Sequence, residues 1–259
     1  VRIIVLLSVL LVSLSAHASG DCTSFPEQIS VSNDIVELVS VAEKVLGVGD
    51  VSRIRKIENR EFPFVGRFRG PGDLPYSCTG TILDKKFVLG AGHCVDELGE
   101  KPLFILSRDP FKTDGAAPTK LVAKGDDWAL YELESPIPYN GPYPKLKSVS
   151  VEDLRNKSLF SVGYPIDGAG DLTSSFVVDG NCKIFATTFW QRKFLSNCFS
   201  RNGMSGGPVG YFEEGVFYIV AVRSGPQWGA FRRVFGQVGT VETPVSFFKD
   251  GLEKATERK

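Results

Sequence analysis

From about residue 61 onward, short apolar runs alternate with polar or glycine- and proline-bearing breaks, the texture of a strand-rich chain. Phe62 to Arg69 is rich in aromatics and valine, and Gly70-Pro71-Gly72 ends it as a turn. Thr79 to Leu83 and Phe87 to Leu89 read as strands joined by Asp84-Lys85-Lys86, and Leu103 to Leu106, Lys120 to Ala123 and Trp128 to Leu133 follow. Pro136, Pro138, Gly141, Pro142 and Pro144 then make a linker-like stretch without periodicity. A second series comes after it: Ser158 to Val162, Ser175 to Val178, Cys182 to Thr188, Pro208 to Tyr211, Val216 to Arg223 and Phe235 to Val241. The end changes period. Val245, Phe248 and Leu252 share a helical face, with Thr243 as N-cap and Pro244 as first helical residue. The pattern predicts two strand-rich halves, a proline-rich crossing and a C-terminal helix. Strands at this spacing point to a sandwich or barrels.

Upstream the texture differs. Arg2, the apolar run from Ile3 to Val12 and the small-x-small close at Ala16-His17-Ala18 describe a secretory signal peptide over 1–18. Residues 19–60 form an N-terminal extension. Ile35, Val36, Leu38, Val39, Val41, Ala42, Val45 and Leu46 recur at helical steps after Asn33 or Asp34, and Gly47 and Gly49 end the run. Basic Arg53-Ile54-Arg55-Lys56 follows. Two readings stand for this extension: a propeptide with a basic cleavage site, or an arm packed on the domain.

Composition narrows the function. The chain has 259 residues, and 30 Lys plus Arg balance 30 Asp plus Glu, so no charge excess points to nucleic acid or an acidic membrane surface. The N-terminal apolar run is short for a membrane span, and no later stretch is apolar enough, so no stable membrane anchor is expected. Export makes the cysteines informative, because disulfides persist outside the reducing cytosol. The close pairs Cys78 with Cys94 and Cys182 with Cys198 are expected to bond. Each closes a loop of about fifteen residues, worth roughly 3 kcal/mol in loop-closure entropy. Cys22 is left over: free, paired between chains, or lost with a propeptide. No Cys-x-x-Cys occurs and only His93 survives signal cleavage, so no metal site or cofactor is expected.

The chemistry gathers at three places. Gly203-Met204-Ser205-Gly206-Gly207-Pro208-Val209 sets one serine among glycines on a tight turn. Such a turn can expose Oγ and aim neighbouring N–H groups at one point, as an acyl-transfer nucleophile needs; its bland reading is a glycine-rich turn between strands. His93 stands in Gly90-Ala91-Gly92-His93-Cys94, at the end of a strand and beside an expected disulfide. Small neighbours leave it accessible, and imidazole is the natural base near neutral pH, although a lone histidine is more often a surface or core residue. Asp127, in Asp126-Asp127-Trp128-Ala129-Leu130, directly precedes a strand. A buried carboxylate there would orient the imidazole; alone, the two aspartates read as turn caps.

Taken in order, Ala-Gly-His-Cys, Asp-x-Ala-Leu-x-x-Leu and Gly-x-Ser-Gly-Gly-Pro resemble the chymotrypsin-like (trypsin-fold) serine endopeptidases over about residues 61–250. Gly163-Tyr164-Pro165, and a cysteine seven residues before the serine, bring the likeness closer to the bacterial glutamyl-endopeptidase-like (V8-like) branch. The resemblance implies an all-β fold of two antiparallel six-stranded barrels with a C-terminal helix. The peptidase domain would span 61–259, with a first barrel at about 61–137, a second at about 145–243 and the helix at about 244–257. It implies Ser205 as nucleophile, His93 as general base, Asp127 as its orienting acid, and the N–H groups of Gly203 and Ser205 as oxyanion hole. Met204 departs from trypsin, which has an aspartate there that meets a newly freed N-terminal amine; that switch is absent. Gly90 replaces the threonine usual before Ala91.

By the same resemblance, Phe199 and Ser200 lie near the pocket floor, and Arg223 falls where glutamate-specific relatives carry a histidine. Ser224 and Gly225 offer backbone bonds to a substrate strand. An acidic residue on the acyl side of the cleaved bond (P1) is therefore expected, with a small or apolar one close behind; Arg223 has the alternative of an outward strand residue. The function expected is a secreted or periplasmic serine endopeptidase, a monomer acting on proteins or peptides. The competing class is a non-catalytic binding module on a protease fold. An α/β-hydrolase esterase would need serine before aspartate before histidine, and here the order is reversed.

Overall fold

The computed structural model describes residues 54–56, 61–70, 77–106, 115–166, 176–187, 193–226 and 240–257. The expected signal segment, the helical pattern between residues 33 and 46, and Cys22 lie outside the described residues.

The elements run β1 (Ile54–Lys56), β2 (Val65–Arg69), β3 (Ser77–Ile82), β4 (Phe87–Gly90), α1 (His93–Leu98), β5 (Leu103–Ile105), β6 (Ala116–Gly125) and β7 (Trp128–Leu133). Then come β8 (Lys145–Leu146), α2 (Val151–Leu154), β9 (Leu159–Gly163), β10 (Val177–Cys182), β11 (Ile184–Thr187) and β12 (Phe194–Ser196). The chain finishes with β13 (Pro208–Glu213), β14 (Val216–Pro226), β15 (Thr240–Pro244) and α3 (Val245–Glu257).

The first half closes into a barrel in the order β2-β3-β4-β7-β6-β5, every pair antiparallel. Closure removes free edges, and the interior is filled by rings: Phe68 packs on Phe104 and Tyr131 at 5.2 and 4.7 Å between centroids. Phe62 and Phe64, expected inside a strand, come before β2 instead. Both are buried in the cluster with Phe217 and Phe176 that joins the halves.

The second half is a nine-stranded sheet ordered β1-β10-β9-β13-β14-β15-β12-β11, with β8 beside β14. It forms a half-barrel, and with the closed barrel and the C-terminal helix it gives the expected fold of two barrel-like sheets. Two short strands add to it. β1, from the basic stretch of the extension, pairs antiparallel with β10 through Ile54↔Asp179 and Lys56↔Val177. β8, from the proline-rich crossing, lies parallel to Tyr218 and Ile219. The β13–β14 hairpin turns at Glu214 and Gly215, both with positive φ (52° and 77°), as a two-residue loop matching the strand twist requires. The expected strand Cys182 to Thr188 is split between the end of β10 and β11. The short helix α2 follows a Ser150–Asp153 capping box, whose sequence signature is legible.

Helix α3 begins one residue later than expected: Pro244 ends β15, because it pairs with Ala221 across the sheet. Val245, Phe248 and Leu252 are buried as their spacing predicts. Phe248 lies 5.9 Å from Trp128 between ring centroids, so the helix closes one side of β7. Gly251 makes room for the same indole, since a Cβ there would stand 2.9 Å from Trp128 Cζ2.

Candidate active site

Both expected disulfides are formed, Cys78–Cys94 and Cys182–Cys198. The first ties β3 to α1 one residue beyond His93, which is the first residue of that helix. The start of α1 rests directly on the β6–β7 turn. A Cβ on Gly92 would come within 2.8 Å of Asp127 Cα, so glycine is what allows this approach. Asp127 takes φ 64° in that turn, a conformation aspartate tolerates better than most side chains. The carboxylate is thereby turned back onto the helix. Its Oδ1 accepts the His93 backbone N–H at 3.2 Å and lies 2.6 Å from His93 Nδ1. With Nδ1 as the donor, Nε2 is left as the basic nitrogen.

Burial opposes charge on both groups. For His93 the hydrogen bond and charge of Asp127, with Glu97 adding, outweigh it and raise the imidazole above its ordinary 6.5; Lys193 works against this. For Asp127 burial is outweighed by the His93 hydrogen bond and charge, the Ser224 hydroxyl and Lys193. Together they hold the carboxyl at about 2.

The loop at Ser205 is fixed by backbone bonds on three sides. Gly206 N–H donates to Arg223 O at 2.8 Å, and Arg223 N–H returns to Gly207 O at 2.9 Å. Met204 N–H bonds Arg201 O, and Gly207 N–H bonds Met204 O at 3.0 Å. From β3, Thr79 N–H donates to Ser205 O at 2.8 Å, and the Thr79 hydroxyl donates to Gly203 O at 2.8 Å while accepting Tyr164 N–H at 3.0 Å. Gly203 and Gly206 have φ 88° and 86°, and a Cβ on Gly206 would stand 2.8 Å from Ala91 N. The loop thus lies against the backbone two residues before His93. Among the described residues, the N–H groups of Gly203 and Ser205 donate to no backbone carbonyl, and the Ser205 hydroxyl makes no hydrogen bond. Met204 is fully buried in this turn.

The residues expected around the pocket are placed as follows. Arg223 is 0 % exposed. Its guanidinium donates to Phe199 O and Ser161 Oγ and stands 3.5 Å from Glu242, which is equally buried. Phe199 N–H donates to Asp179 Oδ2 at 2.7 Å, so its peptide is held from both sides. Burial pushes the Arg223 pKa down while Glu242 and Asp179 oppose; a guanidinium keeps its proton at any ordinary pH. Ser200 is buried too, and Ser224 Oγ meets Thr243 Oγ1 at 2.7 Å. Gly225 continues β14, opposite Val241. The structure therefore joins His93 with Asp127 and Phe199 with Arg223, and seats Ser205 on Thr79.

Thr79, Asp179, Lys193 and Glu242 were missed by sequence reasoning. Only Thr79, next to Cys78, carried a local signal. The other three are polar residues in or beside strands, and nothing in their spacing announces which partners they meet. Among the described residues, no group of three or more His, Cys, Asp or Glu side chains is placed to hold a metal ion.

Two barrel-like sheets, a C-terminal helix and a His–Asp pair beside a glycine-rich serine loop define a trypsin-type peptidase domain. The family of trypsin-like peptidase domains matches residues 78–217, more than half of the chain, and the chain belongs to it. No curated protein matches. Among solved structures, the chain is similar to a scabies mite inactivated protease paralogue, S-I1. The TM-score is 0.61 at 18 % identity, over 79 % of this chain and 99 % of that one. At this identity the likeness speaks for the fold.

Proposed function

We propose that this trypsin-like domain is a serine endopeptidase working outside the reducing cytosol, secreted or periplasmic. The observation that carries the reading is the His93 Nδ1–Asp127 Oδ1 bond of 2.6 Å, beside a Ser205 loop packed on Ala91. In the reaction, Ser205 Oγ attacks the scissile carbonyl carbon and its proton passes to His93 Nε2. Asp127 holds Nδ1–H and stabilises the imidazolium that forms. The oxyanion faces the N–H groups of Gly203 and Ser205, which donate to no backbone carbonyl among the described residues. His93 then protonates the leaving amine. Water, deprotonated by His93, releases the acyl group from Ser205. The base–nucleophile hydrogen bond is of the kind that tightens only when substrate binds.

For the P1 residue, an acidic side chain would have to draw the Arg223 guanidinium away from Glu242, Ser161 and the Phe199 carbonyl. A small or apolar P1 side chain requires no such exchange, and it is the preference we propose. Peptide-library profiling tests it; dominant cleavage after glutamate would restore the acidic reading and the likeness to the glutamyl-specific branch.

Covalent labelling by a serine-directed phosphonate tests the whole assignment. The folded protein is expected to label at Ser205, and Ser205→Ala to abolish it. That the Ser205 hydroxyl makes no hydrogen bond among the described residues favours a second reading, a non-catalytic binding module. That reading gains if correctly folded protein neither labels nor cleaves peptides.

A further inference from the structure

Asp127 divides its two carboxylate oxygens between two cations or potential cations. Oδ1 serves His93, and Oδ2 stands 3.2 Å from Lys193 Nζ. Lys193 comes from the segment that enters β12 in the second sheet, whereas Asp127 belongs to the first barrel, so the contact spans the two. It is also sheltered: the Lys193 and Asp127 side chains are 11 % and 15 % exposed, against 38 % for His93. An ammonium this covered is held there by its partners, because removing it from water is otherwise unfavourable.

Resting on the peptidase reading above, we propose that Lys193 is a positioning residue of the His93–Asp127 pair. Its ammonium pins the second carboxylate oxygen and draws off part of the negative charge that would otherwise stabilise the imidazolium. The charge count makes the consequence plain. Asp127 and a neutral His93 alone carry −1, and protonation of His93 cancels it. With Lys193 the trio is already neutral, and protonation leaves +1 in a poorly hydrated place. The charged groups acting on His93 are Asp127 from the β6–β7 turn, Glu97 from its own helix and Lys193 from the β12 approach. The first two favour the proton and the third opposes it. The benefit is a base that stays neutral, and so competent to accept the Ser205 proton, further into acid. The cost is a weaker base at neutral pH.

The test follows His93 by NMR during a pH titration of the full chain. The sequence has two histidines, His17 and His93, and the His17→Gln variant assigns the signals. Lys193→Met removes charge and hydrogen bond, and Lys193→Gln removes only the charge. Both should raise the His93 midpoint by about half a pH unit or more, as expected for one charge at this range in a partly screened site. Lys193→Arg should leave it within about two tenths of the wild-type value, because it keeps the charge. The acid limb of kcat/KM should move to higher pH by the same amount in Met and Gln variants. An unchanged or lowered midpoint in folded Lys193→Met overturns the proposal. So does an unchanged midpoint in Lys193→Gln, because the ammonium charge would then have no effect on His93. Footprinting of the wild-type protein with an amine-acylating reagent stands beside the variants and needs none of them to fold. Lys193 should be protected relative to exposed Lys85 and Lys101, and labelling at their rate overturns the proposal as well. Titration and footprinting need no activity, so they fail or succeed independently of the phosphonate test.

Discussion

Thr79→Val is the most informative single change at the seam between the two sheets. Thr79 is fully buried in β3, and its hydroxyl serves two backbone groups of the other half, donating to Gly203 O and accepting from Tyr164 N–H. Valine keeps the shape and removes both bonds. Gly203 C=O and Tyr164 N–H then remain buried without that partner, at about 1–2 kcal/mol each, so the expected loss is about 2–4 kcal/mol. For a chain of this size that lowers Tm by roughly 5–15 °C. Thr79→Ser keeps the hydroxyl and loses a methyl group, which costs about 1 kcal/mol. The assay is thermal and urea denaturation of the three proteins, with phosphonate labelling rates measured well below each Tm. Labelling should slow in Thr79→Val beyond any loss of folded protein, because the freed Gly203 carbonyl lets the Gly203–Met204 peptide, which lies between the two oxyanion N–H groups, rotate. A Thr79→Val protein within about 0.5 kcal/mol of wild type would refute the reasoning, since it would mean these bonds are replaced without cost.

Three further expectations follow from the same geometry. Stability should fall in acid: carrying Asp127 from 3.8 to about 2 is worth about 2 kcal/mol above pH 4, lost as pH drops through about 2. Asp127→Asn should lack this loss, and a parallel acid slope in both proteins would contradict it. The raised His93 has the opposite sign, contributing below its ordinary 6.5 and fading as pH rises through its folded value. Arg223→Met should destabilise by about 3–5 kcal/mol by removing the buried guanidinium beside Glu242, and adding Glu242→Gln should recover much of it. Additive losses in that double-mutant cycle would disprove the coupling. Gly251→Ala, usually worth up to about 1 kcal/mol of helix stability, should instead lower Tm because its Cβ meets the buried Trp128 indole; a raised Tm would count against the packing argument.

Local chemistry was legible wherever its cause was local. The strands of the first barrel, the α3 face at Val245, Phe248 and Leu252, and the two short-range disulfides follow from spacing alone. The pairing of His93 with Asp127 is suggested by motif order, and the turn at Gly125-Asp126-Asp127 explains it, because only a positive φ swings that carboxylate back. What stayed hidden depends on register between distant strands. Arg223 was given to the substrate pocket because it falls where glutamate-specific relatives carry a histidine. Its actual surroundings are set by Glu242, three residues into β15, and by Ser161 on β9, and no periodicity encodes those meetings. β1 and β8 were hidden for a related reason: strands of three and two residues are too short to show alternation.

Met204 raised a question in the sequence that the fold answers in two places. Without an aspartate there, the serine loop has no buried ion pair with a chain terminus to lock it. Its burial is apolar, and the locking is transferred to neighbours. Thr79 grips Gly203 and Ser205 from the first barrel, while Arg223 brackets Gly206 and Gly207 with its backbone and Phe199 with its guanidinium. Both grips are made of residues within the folded domain. A loop held this way needs no newly cut N-terminus to take its shape.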